Sequence, residues 1–391
     1  MSDRPRITFV NQSTGFLFID VVNAFADDHP ARLFAGIVDE LNVSVRPSVE
    51  RARLIPYRPA PAWRRIVTWG TFTLQFLWRA LVMPARDELF IVSNPPFAPF
   101  VGLLVNRLRG IRYHLLIYDV YPDAIVRLGL MSTHNPFIRL WVRCNRALFA
   151  HASTIITLSD GMAALIRAYH PDVRVEVIQN WAHTELIKPV DKSENPFARA
   201  HGQVDRITVM YSGNMGATHA VEEIAVLADA LREEPTFSFM AIGDGAKRRK
   251  IEAMRDDLGL QNLTILPYQP SDVLPFSIAT ADIGIVTLSA GAEALSVPSK
   301  TFNLLAAGVA LLVIASPDSE IAHLVDRYDC GAHFEEHETE RIVAFLRAMA
   351  RDPDALRRRK ANAHHASQFF TPQNAMAYRT VLHSNRSGTT R

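Results

Sequence analysis

The residues best suited to chemistry lie in the segment Glu293–Ala315, where a polar turn meets a predicted helix. The turn ends in Pro298 and Ser299, two residue types that are typical of a helix start, with Ser299 as the cap. Lys300 follows directly. A helix N-terminus offers free N–H groups and a partial positive charge, so together with a lysine it can bind a phosphate or diphosphate. The simpler alternative is an ordinary capped helix of an α/β sheet.

Small and polar residues also follow several predicted strands, and in open α/β sheets ligands bind beyond the carboxyl ends of the strands. In the first half of the chain these ends carry Thr14 and Gly15, and then Asn94. In the second half the corresponding positions are Gly213, Asn214, Gly216, Gly243, Pro267, Tyr268 and the turn from Ser296 through Val297 to Ser299. We regard all of them as candidate binding residues.

The glycines of the turn at residues 213–216 permit a close approach of the backbone to a ligand. Their spacing matches neither the dinucleotide-binding GxGxxG sequence nor the P-loop, and a tight strand-to-helix turn is the structural alternative. No Asp-x-Asp sequence stands at a predicted strand end, so metal-bridged diphosphate chemistry is not supported. We expect no metal and no cofactor, with a departing diphosphate neutralised by Lys300 and by backbone N–H groups.

Asp119 ends an apolar strand and is followed by Val120, Tyr121 and Pro122. Partial burial in such a setting raises the pKa of a carboxyl group and suits it to acid or base catalysis. Capping, or pairing with one of the many nearby arginines, is the alternative.

Short apolar runs alternate with helical patterns in both halves, which is typical of a mostly parallel sheet with helices on both faces. The predicted strands span residues 6–10, 33–38, 53–57, 89–93, 113–118, 154–158 and 175–178, then 207–212, 237–242, 263–266, 283–288 and 311–315. A polar, proline-containing stretch at residues 180–205 is the predicted linker. The fold class is therefore α/β, with two tandem Rossmann-like doubly wound domains at residues 1–183 and 184–391.

The length of 391 residues exceeds one comfortable hydrophobic core, and 48% hydrophobic residues suffice for two. The two cysteines, Cys144 and Cys330, are far apart and belong to no metal-binding pattern. These features favour a reducing compartment. The chain begins with a short polar tip rather than the apolar core of a secretory signal, so we expect a cytoplasmic protein.

Positive charge is concentrated in one part of the chain. Residues 51–150 contain fourteen arginines, no lysine and four acidic residues, a net charge of +10, whereas the whole chain carries +2. This favours an anionic partner such as a membrane surface or a lipid diphosphate, and nucleic acid least, because no nucleic-acid-binding motif accompanies it. The helix predicted at residues 62–83 carries Trp69, Phe72, Phe76 and Arg79, an apolar face edged by arginine, and is either interfacial or packed on the core.

Together these segments resemble the retaining glycosyltransferases of family four, which have the GT-B fold, and among them the bacterial members that make exopolysaccharide or O-antigen. The resemblance covers nearly the whole chain, and its motifs are YSGNMG at residues 211–216, IGDG at 242–245, VPSK at 297–300 with LAAG at 305–308, SNPP at 93–96 and DVYPD at 119–123. It implies that the first domain binds the acceptor and the second the nucleotide-sugar, with reaction in the cleft. The last helix, at about residues 371–386, is expected to cross back to the first domain.

The resemblance also implies roles for single residues. Asp119 and Lys300 become the catalytic candidates, and Thr14, Gly15 and Asn94 lie on the acceptor side. The remaining candidates named above become donor-binding residues, joined by Glu293 and Asn303. The family often carries two glutamates eight positions apart, and those positions are Leu295 and Asn303 here. The Asn303 amide can still bond hydroxyl groups, and Glu293 is the candidate substitute for the first glutamate.

The function expected from the resemblance is transfer of a sugar from a nucleotide diphosphate sugar to an acceptor hydroxyl, with retained anomeric configuration. The expected acceptor is a lipid-linked saccharide of cell-surface polysaccharide synthesis, reached at the inner face of the plasma membrane. Two alternatives remain. One is a GT-B nucleotide-sugar epimerase, and the other, because both glutamates are replaced, is a catalytically weak nucleotide-sugar-binding protein.

Overall fold

The computed structural model describes residues 5–40, 43–58, 61–127, 129–216, 219–288 and 298–387. Contacts between backbone positions divide the chain into two compact units, residues 1–179 with 372–391, and residues 180–371. Each unit is an α/β structure built on one parallel sheet. The expected pair of doubly wound domains is therefore present.

The first unit contains a seven-stranded sheet in the order β3-β2-β1-β4-β5-β6-β7. Its strands are β1 (Ile7–Thr14), β2 (Ala31–Val38), β3 (Glu50–Arg53), β4 (Glu88–Val92), β5 (Arg112–Ile117), β6 (Thr154–Thr157) and β7 (Val175–Val177). Its helices before the second unit are α1 (Phe16–Ala26), α2 (Ala62–Leu81), α3 (Ala98–Arg109), α4 (Asp123–Arg127), α5 (Pro136–His151) and α6 (Asp160–Tyr169). Every residue of the central β4 is buried, as expected for a parallel strand that is covered on both faces.

The second unit contains a six-stranded sheet in the order β10-β9-β8-β11-β12-β13. Its strands are β8 (Ile207–Ser212), β9 (Phe237–Ile242), β10 (Leu263–Leu266), β11 (Ile283–Thr287), β12 (Ala310–Ile314) and β13 (Gly331–Phe334). Its helices are α7 (Pro196–Ala200), α8 (Glu223–Ala230), α9 (Arg248–Leu258), α10 (Leu274–Ala279), α11 (Lys300–Ala306), α12 (Glu320–Tyr328), α13 (Thr339–Arg351) and α14 (Pro353–Ser367). The helices and strands enclose one continuous apolar core.

The last helix, α15 (Asn374–Ser387), belongs to the first unit although it follows the second in sequence. The fully buried ring of Tyr378 lies 6.3 Å from the ring of Phe90 on β4. His383 contacts His29 through their Nε2 atoms at 2.7 Å. The chain thus closes the first unit with its C-terminal helix.

The structure differs from the sequence-based element boundaries at several places. Strand β1 continues to Thr14, whereas the predicted strand ended at residue 10. The third strand lies at Glu50–Arg53 rather than at residues 53–57, because this edge strand is polar and mostly exposed and has no apolar pattern to mark it. The predicted linker contains the short helix α7, which Asn195 caps by accepting hydrogen bonds from two backbone N–H groups. Strand β13 was not predicted, since its sequence GAHF is short and only half-buried.

A buried ion cluster ties three segments of the second unit together. Asp282, just before β11, accepts hydrogen bonds from the ammonium groups of Lys192 and Lys360, the latter at 2.9 Å, and from the Thr208 N–H at 2.9 Å. Burial alone would raise the pKa of Asp282, but the two ammonium groups outweigh it and hold the pKa below its usual value. The cluster joins the linker and α14 to the start of β11.

Replacing this carboxylate should destabilise the protein strongly. We expect Asp282→Asn to lower the free energy of unfolding by about 3 to 5 kcal/mol, because the largely buried Lys192 ammonium group and the partly exposed one of Lys360 lose their counter-charge. Since the folded-state pKa of Asp282 is lowered, its stabilisation is present at neutral pH and is lost as pH falls through that pKa. The measurement is urea unfolding of both proteins at neutral and at acidic pH.

Asp256→Asn is the matched control, because Asp256 forms an exposed ion pair with Arg255 on the same unit. Such surface pairs contribute only about 0 to 1 kcal/mol. Equal losses of stability in the two variants would contradict the role assigned to the buried cluster.

Candidate functional site

The carboxyl ends of the two central strands of the second sheet meet where the strand order reverses. The strand order is β10-β9-β8-β11-β12-β13. From β8 the chain adds β9 and β10 on one side, and it then adds β11, β12 and β13 on the opposite side of β8. Such a reversal point is the usual ligand position in open α/β sheets. The turn from Gly213 to Gly216 follows β8, and Lys300 begins the helix that follows β11. The topology therefore brings these two sequence candidates to neighbouring strand ends.

The side chain of Lys300 places a basic group in a buried position at the reversal point. Its Nζ lies 3.6 Å from the centroid of the Tyr211 ring, which gives a cation–π contact. The Nζ atom is buried and has no hydrogen-bond partner among the described residues. Burial holds the pKa of Lys300 well below its usual value. A buried ammonium group without a counter-charge is costly, so an anionic ligand would relieve it.

Glycine is required on both neighbouring loops for a packing reason. Gly213 and Gly243 have φ values of 139° and 143°, which side-chain-bearing residues rarely adopt. A Cβ atom on Gly243 would lie 2.0 Å from the Gly213 carbonyl oxygen, and one on Gly213 would lie 3.5 Å from Lys300 Cδ. The loops after β8 and β9 are therefore packed backbone to backbone, with the Lys300 stem alongside.

The turn after β8 is also held from within and from the β9 loop. Met215 N–H donates to the Asp244 carbonyl at 2.8 Å, and the Tyr211 hydroxyl donates to the Asn214 carbonyl at 2.6 Å. Gly216 closes the turn, with its Cβ position 3.1 Å from Asn214 Nδ2. Tyr211 therefore supports the turn with its hydroxyl and Lys300 with its ring.

The structure does not place a helix N-terminus directly after this turn. Helix α8 begins only at Glu223, with no side-chain cap. Instead, His219 lies beside the end of β11, where its Nδ1 is 3.0 Å from the Thr287 carbonyl oxygen. Burial and the nearby Lys300 charge lower the pKa of His219, so its neutral form is favoured. The sequence analysis missed His219, because a single histidine several residues beyond a strand end carries no recognisable spacing.

The other donor candidates differ in burial, and some of them lie outside the described residues. Ser299 occupies the cap position of α11 but has helical backbone angles and makes no capping hydrogen bond. Asn303 is half-buried within α11, and Pro267 and Tyr268 are exposed after the edge strand β10. The Asp244 charge adds to partial burial in raising the pKa of Tyr268, so these two residues are near each other. Glu293, Ser296 and Val297, with Leu295, lie outside the described residues.

The first sheet has its own reversal point, between β1 and β4. Thr14 ends β1 with its hydroxyl buried and donating to the Asn11 carbonyl at 3.2 Å. Gly15 is exposed and begins α1, whose first turn carries neither an acidic residue nor a side-chain cap. Asn94 follows β4 and accepts a hydrogen bond from Gln12 N–H through its backbone carbonyl at 3.3 Å. All three acceptor candidates are therefore brought to one edge of the first sheet.

Asp119 lies at the end of the next strand, β5. Ser93 Oγ accepts hydrogen bonds from the backbone N–H groups of Tyr118 and Asp119 at 3.0 and 3.3 Å, which fixes the loop to the end of β4. Burial raises the pKa of Asp119 to about 6. No hydrogen bond or ion pair to its carboxylate is made by the described residues, so neither capping nor an arginine partner explains it. A carboxyl group of this pKa is suited to general base catalysis near neutral pH.

Helix α2 presents an apolar surface that differs from the one expected. Phe72 and Phe76 are fully buried, so that face packs on the core. The opposite side exposes Trp63, Ile66, Val67, Leu74 and Trp78, whose exposed fractions range from 53% to 72%. Among the fourteen arginines of residues 51–150, only Arg51 and Arg112 lie within ion-pair distance of a carboxylate of the described residues.

Neither a metal-binding cluster nor a membrane-spanning helix is present among the described residues. Within the described ranges, no group of three or more His, Cys, Asp or Glu side chains is placed to hold a metal ion. No helix in the described part of the chain is both long and apolar enough to span a membrane.

Comparison with known proteins agrees with this architecture. The family model of the glycosyl transferase 4-like domain matches residues 20–181, and that of glycosyl transferases group 1 matches residues 193–366. WcaI of Escherichia coli K12, named as a colanic acid biosynthesis glycosyl transferase, is 29% identical over 75% of this chain and 74% of its own. WbjE of Pseudomonas aeruginosa, named as a glycosyltransferase, is 27% identical over 63% of this chain. The chain spans 61% of the length of WbjE.

A solved structure has the same fold over almost its whole length. Anabaena HepE, in complex with UDP-glucose, superimposes with a TM-score of 0.73 at 16% identity, covering 97% of this chain and 99% of HepE. The two family models together account for most of both units, and each unit has the parallel sheet that the fold requires. The chain belongs to the glycosyltransferases with the GT-B architecture.

Proposed function

We propose that this chain is a retaining glycosyltransferase of family four that transfers a sugar from a nucleotide diphosphate sugar to an acceptor hydroxyl. The observation that carries the proposal is the buried ammonium group of Lys300 at the reversal point of the second sheet, which has no hydrogen-bond partner among the described residues. A diphosphate is the ligand chemistry that satisfies such a group. The fold likeness to HepE, which was solved with UDP-glucose, supports a nucleotide-sugar as the donor.

In this proposal the second unit holds the donor. The diphosphate lies against the Gly213 turn and Lys300, where positively polarised N–H groups and the ammonium group stabilise the charge that develops as the sugar departs. Asn214, Gly216, Gly243, Tyr268 and Asn303 complete the donor-binding set. No protein-bound metal is needed for this step, because Lys300 supplies the counter-charge.

The first unit holds the acceptor in this proposal, with Thr14, Gly15 and Asn94 on its binding side. Asp119 takes the proton from the attacking hydroxyl or orients it, since its raised pKa makes it a stronger base than an ordinary aspartate. The related WcaI is named for colanic acid biosynthesis, and the exposed apolar side of α2 supports an acceptor carried on a lipid. The enzyme would then work in the cytoplasm, at the inner face of the membrane.

Removing the Lys300 ammonium group should weaken donor binding. We expect Lys300→Ala to lower the affinity for the nucleotide-sugar by about tenfold to a hundredfold, because one charge-assisted hydrogen bond is worth about 1.5 to 3 kcal/mol. Calorimetric titration with UDP-, GDP- and dTDP-sugars measures this and identifies the donor. In the wild type, affinity should fall as pH rises through the lowered Lys300 pKa, since the anion binds the charged form.

Lys250→Ala is the matched control, since Lys250 lies on the same unit and pairs with Glu222 at the surface. The Lys300→Ala variant should keep its melting temperature in the absence of ligand, because the lost contact with the Tyr211 ring is offset by the removal of a buried charge. Unchanged nucleotide-sugar affinity and transfer rate in this variant would remove the diphosphate from this position.

Replacing Asp119 should slow sugar transfer and leave the affinity for the nucleotide-sugar unchanged. We expect Asp119→Asn to slow transfer by roughly a hundredfold or more, the scale of a lost general base. In the wild type the rate should rise with pH through about 6, because the carboxylate is the active form, and this step should disappear in the variant. The assay is transfer of labelled sugar to a lipid extract of polysaccharide-producing cells.

The exposed Asp160 provides the control variant Asp160→Asn. A wild-type rate and pH profile for Asp119→Asn would make this aspartate structural. Alteration of the free nucleotide-sugar without any acceptor would favour the epimerase alternative. Tight donor binding without hydrolysis or transfer would favour the catalytically weak binding protein.

The apolar side of α2 should bind membranes. Each basic side chain near an anionic surface contributes about 1 kcal/mol of attraction, and the exposed Trp78 and Leu74 would insert at the interface. We expect sedimentation with phosphatidylglycerol vesicles at low salt, weaker binding at high salt, and little with phosphatidylcholine. Leu74→Ser with Trp78→Ser should reduce binding, whereas Leu258→Ser on the second unit should not. Failure of the wild type to bind anionic vesicles at low salt would favour a soluble acceptor.

A further inference from the structure

A charged cavity lies in the first unit and begins at Pro122 and Asp123, a few residues beyond Asp119. It has a volume of about 520 Å³ and is bordered by α4, α5 and the Tyr169 ring at the end of α6. Four of its lining side chains are arginines: Arg127, Arg139, Arg143 and Arg146. The volume is within the range of small-molecule sites. The cavity is therefore large enough to hold a ligand of several atoms.

The arginines on α5 form a single row. Arg139, Arg143 and Arg146 are spaced by four and three residues, so they project from one face of the helix. Like charges at these spacings repel one another and destabilise a helix. A row of this kind is therefore unfavourable unless something neutralises it.

The described part of the protein does not neutralise the row. None of the four arginines forms an ion pair with a described carboxylate, and Arg139 Nη2 contacts His134 Nδ1 at 3.3 Å. The one carboxylate in the lining is that of Asp123, which accepts a hydrogen bond from the Tyr169 hydroxyl. Four guanidinium groups and one carboxylate leave the cavity with a net charge of +3.

The opposite side of α5 holds the row in place. Trp141 stacks on Tyr121 with ring centroids 6.1 Å apart, and Asn145 Nδ2 donates to the Tyr121 carbonyl at 2.6 Å. Trp141 and Asn145 also line a small space beside Asp119. Helix α5 is thus anchored to the loop after β5, and its arginine row faces the cavity from a fixed element.

We propose that this cavity binds the phosphate or diphosphate group of an anionic ligand. A guanidinium group can donate two parallel hydrogen bonds to the oxygens of one phosphate. All four basic residues of the cavity are arginines, although lysine would make a surface equally soluble. The ligand is either a soluble phosphorylated compound or the head group of an anionic lipid. The proposal goes beyond the sugar transfer and does not depend on the donor site at Lys300.

Chemical protection of the arginines tests the location directly. The wild-type protein is treated with phenylglyoxal, which modifies arginine, with and without pyrophosphate, and modification is mapped by mass spectrometry. We expect pyrophosphate to protect Arg139, Arg143 and Arg146 severalfold more than Arg107, an exposed arginine on α3. A parallel experiment replaces pyrophosphate with phosphatidylglycerol vesicles, using phosphatidylcholine vesicles as the neutral comparison.

Protection by pyrophosphate assigns a soluble phosphate ligand, and protection by phosphatidylglycerol vesicles alone assigns a lipid head group. Equal protection of Arg107 and the cavity arginines, or protection of neither by any probe, would overturn the proposal. Because Lys300 lies on the other unit, the Lys300→Ala variant should lose donor affinity and retain the protection pattern. The two proposals can therefore fail separately.

Two glutamine variants test the affinity for whichever probe, pyrophosphate or phosphatidylglycerol vesicles, protects the cavity arginines. In the Lys300→Ala background, Arg143→Gln should weaken binding about tenfold or more, since it removes one charge-assisted contact, and Arg107→Gln should not. Arg143→Gln should melt no lower than its parent, because it relieves repulsion within the row. Equal affinity in the two glutamine variants would contradict the site.

Discussion

The ammonium group of Lys300 lies over the Tyr211 ring with its Nζ atom buried and without a hydrogen-bond partner among the described residues. The cation–π contact with the ring contributes on the order of 2 kcal/mol, which offsets only part of the cost of burying this charge. The fold imposes this position. Strands β8 and β11 are neighbours in the parallel sheet. Tyr211 lies near the end of β8, and Lys300 begins α11, the helix that follows β11. The loops of Gly213 and Gly243 pack against each other, and the lysine stem lies beside Gly213. An anion in this place completes an arrangement that the protein alone leaves unbalanced.

The strand ends were predictable because parallel strands buried on both faces leave a strong apolar signal. Strand β9 was located to the residue, and Lys300 and Asp119 followed from what stands after β11 and β5. The exposed, polar β3 and the four-residue β13 leave no such signal, so β3 was displaced and β13 was missed, whereas the more apolar edge strand β10 was located to the residue. His219 was invisible for a different reason, since its position depends on a loop path and not on a periodic pattern.

Helix α2 shows the limit of amphipathic reasoning. Its sequence is apolar on more than one side, and periodicity alone cannot say which side faces the core. The face of Phe72 and Phe76 was left open between a membrane interface and the core; it is buried, whereas Trp63 and Trp78 are exposed. The arginine excess is a different case. Charge counting favoured an anionic partner for it, and of these fourteen arginines only Arg51 and Arg112 form ion pairs with described carboxylates. Counting did not reveal that several of them line one cavity on α5, because that requires the packing of α4 and α6.

The most direct test of the account is the titration of Lys300 itself. Lysine labelled with carbon-13 at Cε can be followed by NMR across a pH series, with the Lys300 signal assigned by its loss in Lys300→Arg. The account predicts a pKa well below that of ordinary lysine in the free protein, and a marked rise when the nucleotide-sugar binds, because the diphosphate stabilises the charged form. An ordinary lysine pKa in the free protein, or one that the bound nucleotide-sugar leaves unchanged, would contradict it.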